Sequence, residues 1–228
     1  IKLNKIAVLF RAAYHSQELE FQLTKKDIPY DYRGGVRFFE RAHIKDIIAF
    51  LKVMTNPKDE AAWYRILQLQ AGIGIETASR IYSRIKDLDC PIKCVEADLS
   101  DILSVRAKMG WQNIVNIYSK DLEIKKLNNL DEPASFIRAL AKSDYREYLQ
   151  AQFPNYQERI EDLEQFAKFA ENYEDLNTFL TEVTLQEAFA VERATPNTSD
   201  EEKLVLTTIH QAKGLEWEIV FVINLVDN

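Results

Sequence analysis

Short, mostly apolar runs lie near both ends of this 228-residue chain. They cover residues 5–10 and 28–32 near the start, and residues 204–208 and 219–225 near the end. Such runs are typical of strands buried in a parallel sheet. Ser16 is suited to cap a helix between the first two runs. Strand, helix and strand in this order predict the beginning of a parallel α/β layer.

The middle of the chain has a different pattern, because its apolar residues recur at helical spacing. The predicted helices cover residues 43–54, 59–69, 76–86, 97–109, 111–127, 133–149 and 157–191, the last broken near 172–177. A polar, proline-containing linker follows at 194–200, and the strand pattern then returns.

These patterns predict an α/β fold in which a parallel sheet domain is interrupted by a mostly α-helical inserted domain. Residues 1–54 and 198–228 would form the sheet domain, and residues 55–197 the insert. Each end of the chain has too few strands to be stable alone. This favours one sheet built from both ends over two strand-bearing ends that never meet.

The composition is that of a globular protein, with 46% hydrophobic and 29% charged residues. No apolar run approaches the roughly 20 residues of a membrane span, and no signal peptide is expected. The chain lacks an initiator methionine, which suggests a fragment of a longer protein. With two cysteines, Cys90 and Cys94, a reducing cytoplasm is the expected location. A metal site is not expected, because no histidine lies near them in sequence.

The net charge of −7 argues against a general nucleic-acid binder. Its distribution weakens that argument, because residues 158–187 hold nine acidic and two basic side chains and carry the whole excess. Residues 25–45 are locally basic. For the acidic stretch, a solvated face is the preferred interpretation, and a protein-binding surface is the alternative.

Candidate chemistry begins at the end of the first predicted strand, where Phe10 precedes Arg11. A guanidinium at the carboxyl end of a parallel strand is well placed to bind a phosphate. A neighbouring aromatic ring could stack on a base. The alternative is a core phenylalanine followed by a surface arginine.

A second candidate site follows the third strand, in residues 207–217, Thr-Thr-Ile-His-Gln-Ala-Lys-Gly-Leu-Glu-Trp. Polar groups at the end of a strand are typical of ligand sites in open α/β sheets. His210 taken alone would more often be a structural histidine.

Two further stretches carry glycines and arginines. Residues 34–41, Gly-Gly-Val-Arg-Phe-Phe-Glu-Arg, precede Ile44-Lys-Asp46. Their arginines either contact phosphate or pair with Glu40 and Asp46, and the pairing is preferred. Residues 71–75, Ala-Gly-Ile-Gly-Ile, lie between two predicted helices, where a tight turn would present backbone N–H groups to a phosphate. A plain interhelical turn is the alternative.

Together these stretches resemble UvrD/Rep/PcrA-type superfamily 1 ATP-dependent DNA helicases. Residues 7–11 are similar to motif IV, and 34–46 to the block that follows it. Residues 71–75 are similar to the Gly-Ile-Gly segment of the insert, and 207–217 to motif V. The resemblance implies a truncated second RecA-like domain with its helical insert, from a helicase moving 3′-to-5′ on single-stranded DNA.

The resemblance also implies roles for individual residues. Arg11 would be the catalytic residue that reaches the γ-phosphate, and Phe10 and Glu216 would contact the adenine and the ribose of the nucleotide. The family more often has Tyr at the position of Phe10. The residues implied to contact single-stranded or duplex DNA are Thr208, His210, Lys213, Gly72, Gly74, Thr77, Arg80 and Arg84.

Parts of a complete helicase are absent from these 228 residues. No Gly-x-x-x-x-Gly-Lys-Ser/Thr phosphate loop occurs, and Asp131-Glu132 lies in a polar, proline-flanked context unsuited to binding magnesium at a strand end. The sequence ends before the arginine-bearing motif VI of the family. ATP with Mg²⁺ is therefore expected in the parent protein only, without tight binding or hydrolysis by this chain alone. Its expected partners are single-stranded DNA, a duplex junction and the first RecA-like domain. A non-catalytic DNA- or protein-interaction module is the alternative.

Overall fold

The computed structural model describes residues 1–33, 37–128, 132–194 and 202–225. Within this part, the strands are β1 (Ile6–Phe10), β2 (Tyr30–Arg33), β3 (Leu204–Thr208) and β4 (Ile219–Val222). The α-helices are α1 (Gln17–Lys25), α2 (Ala42–Thr55), α3 (Glu60–Gln68), α4 (Ile75–Ile85), α5 (Pro91–Val95), α6 (Val105–Asn128), α7 (Pro133–Ala141), α8 (Asp144–Gln152), α9 (Tyr156–Ala170) and α10 (Leu176–Ala194). Short 3-10 helices cover Leu3–Lys5, Ala13–Ser16 and Phe38–Glu40.

The four strands form one parallel sheet in the order β2-β3-β1-β4. Strands from both ends of the chain alternate in this order, so the predicted single sheet is confirmed. The central pair is β1 and β3, in a register that places Phe10 opposite Thr208. Residues that follow these two strands therefore emerge side by side at the carboxyl edge of the sheet.

The sheet has a small apolar core on which its geometry depends. The buried members are Val8, Phe10, Leu23, Tyr30, Leu204 and Leu206. Burying each large apolar side chain of this kind stabilises the folded state by about 1.5–3 kcal/mol. In contrast, the edge strand β4 is exposed, and Phe221 keeps 54% of its surface accessible.

The chain divides into two compact units, residues 1–41 with 182–228, and residues 42–181. The boundaries expected from the sequence lay after residues 54 and 197. One difference concerns α2, which packs on α3 and α9 and so belongs to the helical unit. The other lies within α10, because its residues from 182 onward are grouped with the sheet unit. Nine residues of α2 are buried, which is more than one amphipathic stripe would bury.

The helical unit is organised around Trp63, which is fully buried on α3. Its indole ring lies 6.3 Å from the rings of Trp111 and Tyr118 on α6, and its Nε1 donates to the Pro57 carbonyl at 2.8 Å. Asp59 caps α3 by accepting a hydrogen bond from the Ala62 amide at 2.9 Å. The indole packing and the cap together fix the helix that leads into the 71–75 turn.

Two predicted helices are wrong in their extent. Residues 97–104 of the expected helix at 97–109 are not helical, and α6 begins at Val105 because the Ser104 hydroxyl caps it through the Ala107 amide at 3.2 Å. The expected helix at 133–149 is divided into α7 and α8, where Ser143 caps the second. The predicted break near 172–177 is confirmed. Residues 195–200 of the predicted linker, and Asp131, lie outside the described residues.

Among the described residues, no helix is long and apolar enough to cross a membrane. In the same part of the chain, both cysteines are free thiols. Burial raises the pKa of the Cys94 thiol to about 11.

Candidate functional site

The carboxyl edge of the sheet brings two candidate segments together. The Ile209 amide, just after β3, donates to the Phe10 carbonyl at 2.9 Å, and the Ile223 amide, just after β4, donates to the Leu9 carbonyl at 3.0 Å. The chain segments that carry Arg11 and His210 therefore leave adjacent strands at the same edge. This is the edge at which open α/β sheets bind ligands.

Phe10 and Arg11 have different surroundings. The Phe10 ring is fully buried in the sheet core and stacks on Tyr32, with the ring centroids 5.9 Å apart. This burial agrees with the core alternative for Phe10, and its contact with adenine stays a prediction. Arg11 is exposed at the strand end, where its guanidinium is accessible to an anion.

The turn after Arg11 is closed on itself. The His15 amide donates to the Ala12 carbonyl at 3.0 Å, and the Ala12 amide approaches His15 Nδ1 at 3.4 Å. The Tyr14 and His15 rings meet edge to face, 4.2 Å apart. Burial, and next the charge of Arg11, lower the pKa of His15. The lowered pKa favours the neutral imidazole, whose Nδ1 can accept a hydrogen bond.

The turn after β3 presents the expected DNA-contact residues to solvent. Its first residue, Thr208, caps it, because the Thr208 carbonyl accepts from the Gln211 and Ala212 amides at 3.0 Å and its hydroxyl accepts from Gln211 at 3.3 Å. Gly214 closes the turn with φ +84°, a left-handed conformation that favours glycine. His210 and Lys213 lie between them and are exposed.

Glu216 is placed differently from His210. The strand that follows it, β4, begins with Ile219 opposite Ile6, which is the amino-terminal end of β1. Glu218 approaches Lys5 near that end, with Oε1 and Nζ 3.8 Å apart. Glu216 is thus an exposed residue on the segment that returns from the carboxyl edge to the amino edge.

A buried carboxyl group lies in the same unit. Glu20 is 7% exposed and accepts a hydrogen bond from the Ser16 hydroxyl at 2.6 Å. Burial raises the pKa of Glu20 to about 7, although Ser16, Arg37 and Arg41 act to lower it. The two arginines of the 34–41 block therefore lie near this carboxyl group. Residues 34–36 of that block lie outside the described residues.

Asp46, at the end of the same block, has partners in the helical unit. It is 4% exposed, and its carboxylate accepts from Arg65 Nε at 2.7 Å and from the Tyr145 hydroxyl at 2.8 Å. Burial raises the pKa of Asp46 despite these partners. Asp46 thus joins α2 to α3 and α8.

His43, one helical turn before Asp46, joins α2 to α9. It is buried between Asp162, 2.7 Å from Nε2, and Arg159, 2.8 Å from Nδ1. Because arginine can only donate, Nδ1 accepts and Nε2–H donates to Asp162. These buried contacts indicate a structural role for His43.

The 71–75 segment forms the expected turn between α3 and α4. Gly72 has φ +79°, and a Cβ there would lie 2.8 Å from the Ala107 amide nitrogen and 2.8 Å from Arg106 Cγ. Gly110 approaches the other side of the turn, since its Cβ would lie 2.7 Å from the Ala71 carbonyl. Gly74 precedes α4 with open space around it. The turn is therefore fixed against the first turns of α6.

The polar candidates on α4 are not equivalent. Arg84 donates to the Asp101 carboxylate at 2.8 Å and to the Asp98 carbonyl at 3.3 Å, so it connects α4 to the turn before α6. Arg80 is exposed one helical turn closer to Gly74, and Thr77 is half-buried in the first turn of α4. Of the two arginines, Arg80 is better placed to contact a phosphate beside the Gly72 turn.

Several residues of these sites were missed in the sequence. Gly110 carried a weak signal, because a glycine inside an apolar helical pattern often marks close packing. His15 and Asn224 carried none, since their contact joins residues that are far apart in the chain. Across the described residues, no group of three or more His, Cys, Asp or Glu side chains could hold a metal ion.

Comparison with known proteins gives one consistent family. The family model described as the UvrD-like helicase C-terminal domain matches residues 1–228. An ATP-dependent DNA helicase PcrA from Bacillus subtilis (strain 168) is 29% identical over 98% of this chain and 31% of its own length. Helicases of the same name from Staphylococcus epidermidis and Staphylococcus aureus are 29% and 27% identical, over 100% of the chain and 32% of their own length. The chain thus spans about a third of the curated relatives it matches.

Proposed function

Because this chain belongs to the UvrD-like helicase C-terminal domain family, we propose that it is part of an ATP-dependent 3′-to-5′ DNA helicase. In this proposal it supplies one wall of the nucleotide cleft, contacts to single-stranded DNA and a duplex-contacting helical unit. The observation that carries the proposal is the carboxyl edge of the sheet. There, Arg11 and the 209–214 turn leave neighbouring parallel strands.

Arg11 would act on the transferred phosphoryl group. Its side chain is exposed directly after a buried strand, so its backbone is held firmly while its guanidinium remains accessible. A guanidinium stays charged at all relevant pH values and binds phosphate oxygens bidentately. Charge developing on the phosphoryl oxygens would therefore be stabilised by Arg11. The chemistry of ATP with Mg²⁺ would also require a phosphate loop from another part of the parent protein.

Thr208, His210 and Lys213 would contact single-stranded DNA. They share one short turn, capped by Thr208 and closed by Gly214, in which the side chains of His210 and Lys213 are exposed. Lys213 would contact a phosphate, and His210 would lie against the strand. Glu216, farther along the same segment, would accept a hydrogen bond from the ribose.

The Gly72–Gly74 turn would contact the DNA duplex. The backbone around Gly72 is fixed against α6, and α4 begins directly after Gly74, where its amides lack helical partners. Thr77 and Arg80 would add side-chain contacts to the phosphates. Arg84 would contribute less, because its guanidinium is already bound to Asp101.

ATP hydrolysis tests whether this chain needs the rest of the parent protein for catalysis. The full-length protein is expected to release phosphate from ATP in a DNA-stimulated manner, and residues 1–228 alone are not. An Arg11→Ala variant of the full-length protein is expected to lose about 10²-fold or more in kcat, as expected for removal of a charge-stabilising group. DNA-stimulated hydrolysis by residues 1–228 alone would contradict the proposal.

Junction binding tests the helical unit separately. Arg80→Glu is expected to weaken binding to a duplex with a single-stranded tail and to reduce the salt dependence by about one phosphate contact. Lys168→Glu on α9 makes the same change in charge at another exposed position and serves as the matched control. Equal losses in both variants would indicate a general charge effect and would refute a specific contact at the turn.

A non-catalytic interaction module remains the alternative outcome of these tests. Its expected surface was the acidic stretch 158–187. There, Arg138 donates to Glu164 at 3.0 Å and also binds Glu171, so part of the acidic charge is neutralised within the unit. Absence of ATP hydrolysis by the full-length protein, with retained DNA or protein binding, would favour this alternative.

A further inference from the structure

Asn224 connects the end of β4 to the turn that carries Arg11. Its side-chain Nδ2 donates a hydrogen bond to the His15 carbonyl at 3.3 Å. Asn224 has φ +55°, a left-handed conformation that asparagine tolerates better than most residues. The neighbouring Ile223 amide donates to Leu9, so the backbone on this side is held against β1. The side chain of Asn224 thus reaches the turn from a fixed position.

The turn transmits that contact to Arg11. The His15 amide donates to the Ala12 carbonyl, and His15 Nδ1 lies close to the Ala12 amide. The two ends of the 12–15 turn therefore move together. Ala12 directly follows Arg11, which leaves a single peptide bond between the closed turn and the exposed arginine. Displacing the His15 carbonyl would consequently displace the backbone of Arg11.

We propose that Asn224 is a positioning residue for Arg11, acting through the His15 carbonyl and the closed turn at residues 12–15. This inference rests on the proposed role of Arg11 at the nucleotide phosphate. A long, flexible arginine stabilises a transition state only when its backbone is correctly placed, and small displacements can cost a large factor in rate. Asn224 itself would contact neither nucleotide nor DNA.

Amide hydrogen exchange in residues 1–228 tests the contact itself. Asn224→Gly keeps the left-handed backbone without strain and removes the donor. Asn224→Asp keeps the size and replaces the donating amide with an acceptor. In both variants the His15 and Ala12 amides are expected to exchange several-fold faster, while amides in β3 are unchanged. Unchanged exchange at His15 and Ala12 in both variants would overturn the inference.

A double-mutant cycle in the full-length helicase proposed above tests the route through Arg11. Asn224→Gly is expected to lower the DNA-stimulated kcat about tenfold without changing the affinity for DNA. In an Arg11→Ala background it is expected to have no further effect, because residues acting in one unit are not additive.

The outcomes separate the two claims. If Arg11→Ala leaves kcat unchanged, the proposed role of Arg11 fails, and the inference fails with it. If Arg11→Ala lowers kcat but Asn224→Gly costs the same factor with or without Arg11, only the positioning role of Asn224 is overturned.

Discussion

Gly72 should be one of the least replaceable residues of the helical unit. In Gly72→Ala, the new Cβ would lie 2.8 Å from the Ala107 nitrogen and 2.9 Å from the Arg106 carbonyl carbon, both backbone atoms of α6. The backbone at φ +79° also disfavours any side chain. The left-handed conformation costs about 1–2 kcal/mol and the overlap about 1–3 kcal/mol. The expected loss in the free energy of unfolding is therefore about 2–5 kcal/mol.

Gly74→Ala is the matched control, since it makes the same chemical change two residues away. A Cβ at Gly74 would meet no atom within 4 Å, and its φ of −90° is allowed for alanine. The weaker cap and the lower entropy of the unfolded chain roughly cancel, which leaves an expected change within about 0.5 kcal/mol.

Urea unfolding followed by tryptophan fluorescence measures both variants. Trp63 and Trp111 lie in the helical unit, with their rings 6.3 Å apart, so their emission reports its unfolding. A Gly72→Ala protein within 1 kcal/mol of the unmodified chain would refute the reasoning. So would a Gly74→Ala protein that is equally destabilised.

Three further variants test other parts of the molecule. The pKa of Glu20 is about 7 in the folded unit against an ordinary 4.5, so its stabilising contribution is complete below about pH 4.5 and is lost as the pH rises through 7. Glu20→Gln should remove that loss of stability, which is on the order of 3 kcal/mol. Amide exchange in β1 and β3 should then be slower in the variant at pH 8 but not at pH 4, and equal effects at both pH values would contradict this. Tyr145→Phe should cost about 1–3 kcal/mol in urea unfolding, because it removes a donor to the buried Asp46, and no change would be inconsistent with that contact. Arg84→Ala should cost less than about 1 kcal/mol, because its bridge to Asp101 is exposed; a loss above 2 kcal/mol would show that the bridge matters more than exposed pairs do.

Local patterns were sufficient for much of the fold. The four apolar runs became four strands of one parallel sheet, because each was short and bounded by polar residues. The Gly72–Gly74 turn followed from its glycines. The extent of α6 was missed, since the capping by Ser104 competes with a helical pattern that continues on both sides. The unit division after residue 41 differs from the expected boundary after residue 54, because the packing of α2 on α3 and α9 depends on tertiary contacts.

The candidate site was predictable only in part. The position of Arg11 and of the 209–214 turn followed from strand ends and from the family resemblance. The burial of Phe10 depends on Tyr32, which lies on a strand two positions away in the sheet. Likewise, the ion pair between Arg84 and Asp101 depends on where the turn between α5 and α6 lies. Such contacts join residues through tertiary packing, which no local pattern encodes.

Strand displacement by the full-length protein tests the central claim most directly. A duplex with a 3′ single-stranded tail and a matched duplex with a 5′ tail would each be incubated with the protein, ATP and Mg²⁺. The proposed function predicts ATP-dependent separation of the 3′-tailed duplex and little separation of the 5′-tailed one. Separation of the 5′-tailed duplex alone, or of neither substrate, would contradict it.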